Sequence, residues 1–129
     1  MSAMIAEKDA AALKTRGHRV PATPLPPGQH WYYFNFATVQ AALTYLNTPL
    51  VQSAGEVSAT ARNDGTVGML TIYPPTHPLQ SPQRWFFQHF SSPNSAVSFL
   101  NEPPVQSDGE VSSTARNDGT VGMFYIAPA

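Results

Sequence analysis

Residues 51–69 of the chain read VQSAGEVSATARNDGTVGM, and residues 105–123 repeat them as VQSDGEVSSTARNDGTVGM, with two differences in the whole stretch. Extended without a gap, the match pairs residues 29–75 with 83–129 and gives 26 identical residues in 47 positions. Chance does not produce such a match, so the sequence predicts an internal tandem duplication with an offset of 54 residues.

The duplication predicts how the chain is organised. Two repeats, 21–74 and 75–128, are expected to form a single domain over residues 21–129. Because only two copies exist, a pseudo-twofold pair is a more natural outcome than a solenoid. Residues 1–20 lie outside the repeat and are expected to be a flexible or weakly helical N-terminal segment.

Within each repeat the clearest local signal is a hairpin. Glu56–Arg62 and Val67–Tyr73 flank the sequence Asn-Asp-Gly-Thr, in which Asp-Gly is typical of a two-residue turn. That turn would pair Ala61 with Gly68. The pairing predicts two sets of residues on the buried face, one for each repeat: Val57, Ala59, Ala61, Leu70 and Ile72, and then Val111, Ala115, Phe124 and Ile126.

The other elements follow from composition and capping. The aromatic runs Trp31–Phe36 and Trp85–Phe90 favour strands. Helices are expected to begin after the N-caps Thr38 and Ser92 and to end near Asn47 and Asn101. The predicted fold is therefore α+β, with tandem duplicated βαββ units forming a two-layer sandwich. Its six-stranded sheet would carry two helices on one face, in a strand order that the sequence leaves open.

Composition narrows the function classes. The chain has 129 residues, 42% hydrophobic and 12% charged, with no cysteine. Residues 29–129 carry three arginines against six acidic residues, which opposes nucleic-acid binding. The sequence shows neither an apolar run of membrane-spanning length nor a signal peptide, so a cytoplasmic protein without membrane contact is expected. The histidines have no metal-ligand spacing, and no cofactor or metal is predicted.

One sequence element has two interpretations. Arg-Asn-Asp-Gly-Thr, at 62–66 and 116–120, is either a pair of ligand-binding loops or a turn whose Asn and Asp bind their own backbone. The turn interpretation explains more residues of this sequence than the ligand-binding interpretation does. An alternative hypothesis is a small enzyme in which Arg62 and Arg116 hold an anionic small molecule, with His89 as the proton carrier. No serine-nucleophile or phosphate-binding glycine motif supports catalysis, so an enzyme is not the preferred hypothesis.

The preferred hypothesis is a non-catalytic binding or self-associating module. Helices cover only one face of the sheet, so the other face would hold one alternate set of the strand aromatics. The residues predicted to bind there are Arg62, Thr60, Met69, Arg116, Thr114, Met123 and Tyr125. The partner would be a second copy or another protein, unless the N-terminal segment covers this face.

The doubled motif Glu-Val-Ser-x-Thr-Ala-Arg-Asn-Asp-Gly-Thr-Val-Gly-Met resembles small uncharacterised proteins of Burkholderia-type bacteria. The resemblance implies a bacterial protein. It implies no activity, cofactor or site.

Overall fold

A computed structural model describes residues 25–129, so the expected N-terminal segment 1–20 lies outside the described residues. The elements, in chain order, are β1 His30–Phe36, α1 Val39–Asn47, β2 Val57–Ala61, β3 Val67–Tyr73, β4 Gln83–Phe90, α2 Pro93–Asn101, β5 Val111–Ala115 and β6 Val121–Pro128. We call β1 to β3 with α1 the first unit, and β4 to β6 with α2 the second unit. Both have the same order of elements.

The described residues form two three-stranded antiparallel sheets, ordered β1-β3-β2 and β4-β6-β5. The α+β class is confirmed, but the predicted six-stranded sheet is wrong. The reason lies at the outer edge of β2, where backbone amides of Ala59 and Ala61 donate to side-chain hydroxyls of Ser112 and Thr114 on β5. Side chains, rather than another backbone, therefore occupy the edge that a continuous sheet would need.

The predicted helix boundaries are confirmed. The Thr38 side chain accepts a hydrogen bond from the backbone N–H of Ala41, and Ser92 caps α2 in the same way, followed by Pro93 at the first helical turn. The helices end at Asn47 and Asn101, as expected. Each helix is nine residues long, too short to persist alone, and depends on packing against the sheets.

The hairpin loop is one residue longer than predicted. Arg62 N–H donates to Thr66 O at 2.9 Å, and Gly65 N–H donates to Arg62 O at 3.1 Å. These bonds close a three-residue loop, Asn63-Asp64-Gly65, with Gly65 at a φ of 89°. Ala61 consequently pairs with Val67, where the sequence predicted Gly68.

This shift of one residue exchanges the two faces of β3 and β6. Met69 and Met123, predicted to be exposed, are each only 1% exposed and lie on the helix-covered faces. Leu70, predicted to lie under the helix, is 45% exposed on the opposite face. Phe124 is buried as predicted, but on the face of its sheet that α2 does not cover.

The two units pack through unlike surfaces. One core cluster joins Ala42 and Leu46 of α1 to Met69 of the first sheet and to Trp85 and Phe124 of the second. Helix α1 therefore lies between the two sheets, and α2 covers the far face of the second sheet. Equivalent parts do meet at β2 and β5, where Gly55 N–H donates to Gly109 O at 2.7 Å. The expected pseudo-twofold pairing is nevertheless wrong, because a twofold axis would also place α2 against the first sheet as α1 lies against the second, and α2 packs on its own sheet instead.

Candidate functional site

The helix-free face of the first sheet carries large exposed side chains. Trp31 lies opposite Ile72, Tyr33 opposite Leu70, and Asn35 opposite Gly68. Trp31 is 50% exposed, Tyr33 58% and Leu70 45%. We call this surface the open face and define it by the following residues: Trp31, Tyr33, Asn35, Ser58, Thr60, Arg62, Gly68, Leu70 and Ile72.

Arg62 lies across one end of the open face. Its Nη1 donates to Asn35 Oδ1 at 2.8 Å and to Thr66 Oγ1 at 3.0 Å, and its Nη2 donates to the Tyr33 hydroxyl at 3.2 Å. A Cβ on Gly68 would come within 2.5 Å of Nη2, so the glycine makes room for the guanidinium. Within residues 25–129, the Arg62 Nε–H has no hydrogen-bond acceptor.

The equivalent face of the second sheet is closed by the first unit. Trp85 is only 2% exposed there. Its backbone N–H donates to Asn47 Oδ1 at 2.7 Å, and its carbonyl accepts from Asn47 Nδ2 at 3.0 Å. The indole Nε1–H donates to the backbone carbonyl of Gln52 at 3.0 Å. A buried indole with its donor satisfied is a strong anchor between packed surfaces.

A second set of bonds joins this closed face to the outer edge of β2. The Ser112 hydroxyl accepts from Ala59 N–H and the Thr114 hydroxyl from Ala61 N–H, both at 2.9 Å. Arg116 Nε donates to the Ala61 carbonyl at 2.8 Å. Two of the predicted binding residues, Thr114 and Arg116, thus stabilise contact between the units of one chain.

The predicted binding residues do not form one surface. Met69 and Met123 lie in the core, where no partner reaches them. Tyr125 packs edge-on against a phenylalanine of α2, and burial raises the pKa of its hydroxyl. Only Thr60 and Arg62 lie on the open face, as predicted.

The arginines do not share partners either. Arg116 Nη1 lies 3.0 Å from His89 Nδ1, whereas Arg62 makes its bonds at the corresponding position to Asn35. Among residues 25–129, the hydrogen bonds of the two guanidinium groups have no residue in common. The structure therefore gives no support to a site in which both arginines grip one anion.

The Arg-Asn-Asp-Gly-Thr loops satisfy their own polar groups. Asp64 accepts from both the backbone N–H and the hydroxyl of Thr66, and Asp118 does the same with Thr120. These bonds hold the pKa of each carboxyl below its ordinary value, with a smaller contribution from the neighbouring arginine. The geometry favours the turn interpretation over a ligand loop.

Sequence reasoning missed Leu70 as a member of the exposed surface. Strand alternation placed Trp31 and Tyr33 together on one face but could not decide which set the helix covers. Among residues 25–129 no cluster of three or more metal-binding side chains occurs, and no helix in that range is long and apolar enough to cross a membrane. Comparisons with protein-family models, curated proteins and solved structures find no match to this chain.

Proposed function

We propose that the protein is a non-catalytic binding module and that the open face is its contact surface. One contrast carries the proposal. Trp31 and Trp85 occupy the same position in the two units, yet Trp31 is half exposed and Trp85 is fully packed. A tryptophan that is a packing anchor in one unit is thus left in water in the other.

Burial of the exposed side chains would favour binding at this surface. Fully burying a large apolar side chain is worth roughly 1.5–3 kcal/mol, so covering the exposed half of three of them would gain roughly 2–5 kcal/mol. The three are Trp31, Tyr33 and Leu70. Contiguous patches of this kind usually mark an interaction site.

The surroundings of the patch fit a protein partner. Arg62 and the Thr60 hydroxyl border the apolar side chains, which gives the common arrangement of an apolar centre with a polar rim. Tryptophan, tyrosine and arginine are the residues that most often dominate binding energy in protein interfaces. The acidic balance of residues 29–129 disfavours a nucleic acid on the same surface.

Hydroxyl-radical footprinting of dilute protein tests whether this face is free to bind. We expect Trp31 and Tyr33 to be oxidised rapidly, while Trp85 is protected and acts as the internal control. Protection of Trp31 equal to that of Trp85 would mean that the chain covers its own open face, and the proposal would be wrong.

A substitution can remove the contact without harming the fold. The Leu70 side chain is half exposed and its replacement by lysine leaves the helix-covered core untouched. We expect Leu70→Lys to unfold at the same urea concentration as the wild type and to lose the binding of a partner protein at the open face. By contrast, Met69→Lys would place a charge in the core and unfold the protein.

A further inference from the structure

We infer that the occupant of the open face is the second unit of another copy, so that chains associate head to tail. This inference rests on the proposed function. The interface inside one chain would then be repeated between chains. We call the second unit's contribution the trailing end: helix α2, the backbone of Gln106 and the outer edge of β5.

The apolar parts of the two surfaces correspond. Inside the chain, the closed face presents Trp85, Phe124 and Ile126 to α1. The open face has Trp31, Leu70 and Ile72 at the same positions, so two of the three are identical and the third remains apolar. Trp31 and Leu70 are exposed, whereas Ile72 is only 5% exposed within its own chain.

Helix α2 can take the place of α1. Leu46 and Asn47, which contact the second sheet, correspond to Leu100 and Asn101. Leu43 packs against the internal core, whereas its counterpart Val97 is 53% exposed. On this helix surface of the second unit, Val97 and Asn101 are exposed and Leu100 is partly buried.

The polar contacts that Asn47, Gln52, Ser112 and Thr114 make in the internal interface have chemical counterparts. The Asn101 side chain would bind the backbone of Trp31, and the Gln106 carbonyl would accept from the Trp31 indole, as Asn47 and Gln52 do for Trp85. Ser58 and Thr60 hydroxyls correspond to those of Ser112 and Thr114. All four of these side chains are identical at the paired positions.

The β5 edge supplies the matching backbone groups. Ser113 and Ala115 are exposed, although the corresponding residues of β2, Ala59 and Ala61, are buried. The unused Nε–H of Arg62 corresponds to the Arg116 Nε–H that binds the Ala61 carbonyl, so its acceptor would be the carbonyl of Ala115. An exposed strand edge is a ready template for pairing.

The contact between chains should be weaker than the one within a chain. Leu70 is smaller than Phe124, and association loses translational and rotational freedom that the covalent link spares. Thr76 also binds the Glu56 carboxylate next to the internal interface, while its counterpart Ala22 has no hydroxyl. Reversible, concentration-dependent association follows.

Two different surfaces meet in this contact, so it does not close on itself in a pair. Contacts of this kind extend into open filaments or close into rings. Blocking either surface on a chain leaves the other intact, which makes the arrangement testable by mixing variants.

Leu70→Lys blocks the open face and Val97→Lys blocks the trailing end. In sedimentation velocity we expect the wild type to form species larger than dimers as its concentration rises. Each variant alone should remain monomeric, and an equimolar mixture should stop at a one-to-one dimer. Gln88→Lys adds the same charge at an exposed strand position on the helix-covered side and should associate like the wild type.

The other outcomes separate this inference from the proposed function. If Val97→Lys associates like the wild type while Leu70→Lys does not, the open face binds something other than the trailing end. A wild type that stays monomeric with a reactive Trp31 refutes head-to-tail association and leaves the open face for another protein. A monomer with a protected Trp31 refutes both, with residues 1–24 as the remaining occupant.

Discussion

Replacing Trp85 with alanine should destabilise the protein far more than the same replacement at Trp31. Trp85 is 2% exposed, and truncating a buried aromatic side chain to alanine typically costs about 3–5 kcal/mol. Part of that cost is the Gln52 carbonyl left without its indole donor. Trp31 is half exposed, so its truncation should cost about 1–2 kcal/mol, roughly half the transfer free energy of the ring.

Urea unfolding of dilute protein, followed by far-ultraviolet circular dichroism, measures the difference. For a chain of this size the free energy of unfolding falls by about 1–3 kcal/mol per molar urea. The midpoint should therefore move by about 2 M for Trp85→Ala and by less than about 1 M for Trp31→Ala. Trp85→Phe removes the indole donor and leaves a smaller cavity than alanine does, so it should cost less than Trp85→Ala, about 1–3 kcal/mol.

Equal losses in the two alanine variants would refute the packing described for the units. They would mean that Trp31 is buried in solution or that Trp85 is not. Trp31→Ala carries a second expectation: it should lack the concentration-dependent association that we infer for the wild type, while keeping its fold.

Three further changes test the local geometry. Gly122→Ala places a methyl group against the arginine and alanine side chains of the internal interface and should lower the free energy of unfolding by about 1–3 kcal/mol, whereas Gly68→Ala meets only movable side chains and should leave the melting temperature nearly unchanged. Gly65→Val forces a β-branched residue to a φ of 89° and should cost about 1–3 kcal/mol in the same melting assay, so an unchanged melting temperature would contradict the loop geometry. The pKa of Asp64 and of Asp118 is lowered on folding, so both stabilise the protein above the ordinary value of 3.8 and lose that effect as pH falls below it. Replacing both with asparagine should flatten the pH dependence of the urea midpoint in that range, and an unchanged slope would contradict their role.

Local signals predicted the elements well because each rests on neighbours in the chain. Thr38 and Ser92 cap helices through a hydroxyl that reaches an amide three residues on, and Pro93 fits only the first turn. The aromatic runs became strands, with boundaries within two residues of those expected. These features need no knowledge of the rest of the molecule.

The face of each strand could not be predicted in the same way. Asp64-Gly65 is compatible with a two-residue turn and with the observed three-residue loop, because both need a glycine at positive φ. The choice shifts the register by one residue. Along β6, buried and exposed side chains do not alternate, because the second sheet is covered on both sides. Met123, Phe124 and Ile126 are all buried, so the hydrophobic pattern of this strand cannot reveal which face each residue occupies.

The position of a unit along the chain, more than its sequence, decides what is exposed. When unlike surfaces join successive units, the first unit always keeps one surface free and the last keeps the other. Terminal units of such arrays usually carry polar replacements on their outer face. Position 31 is a tryptophan like its buried counterpart Trp85. Tyr33 corresponds to Phe87, which packs against the core. Among the described residues, the open face of the first unit carries no polar replacement for this tryptophan, and the proposed contact surface rests on that difference in exposure.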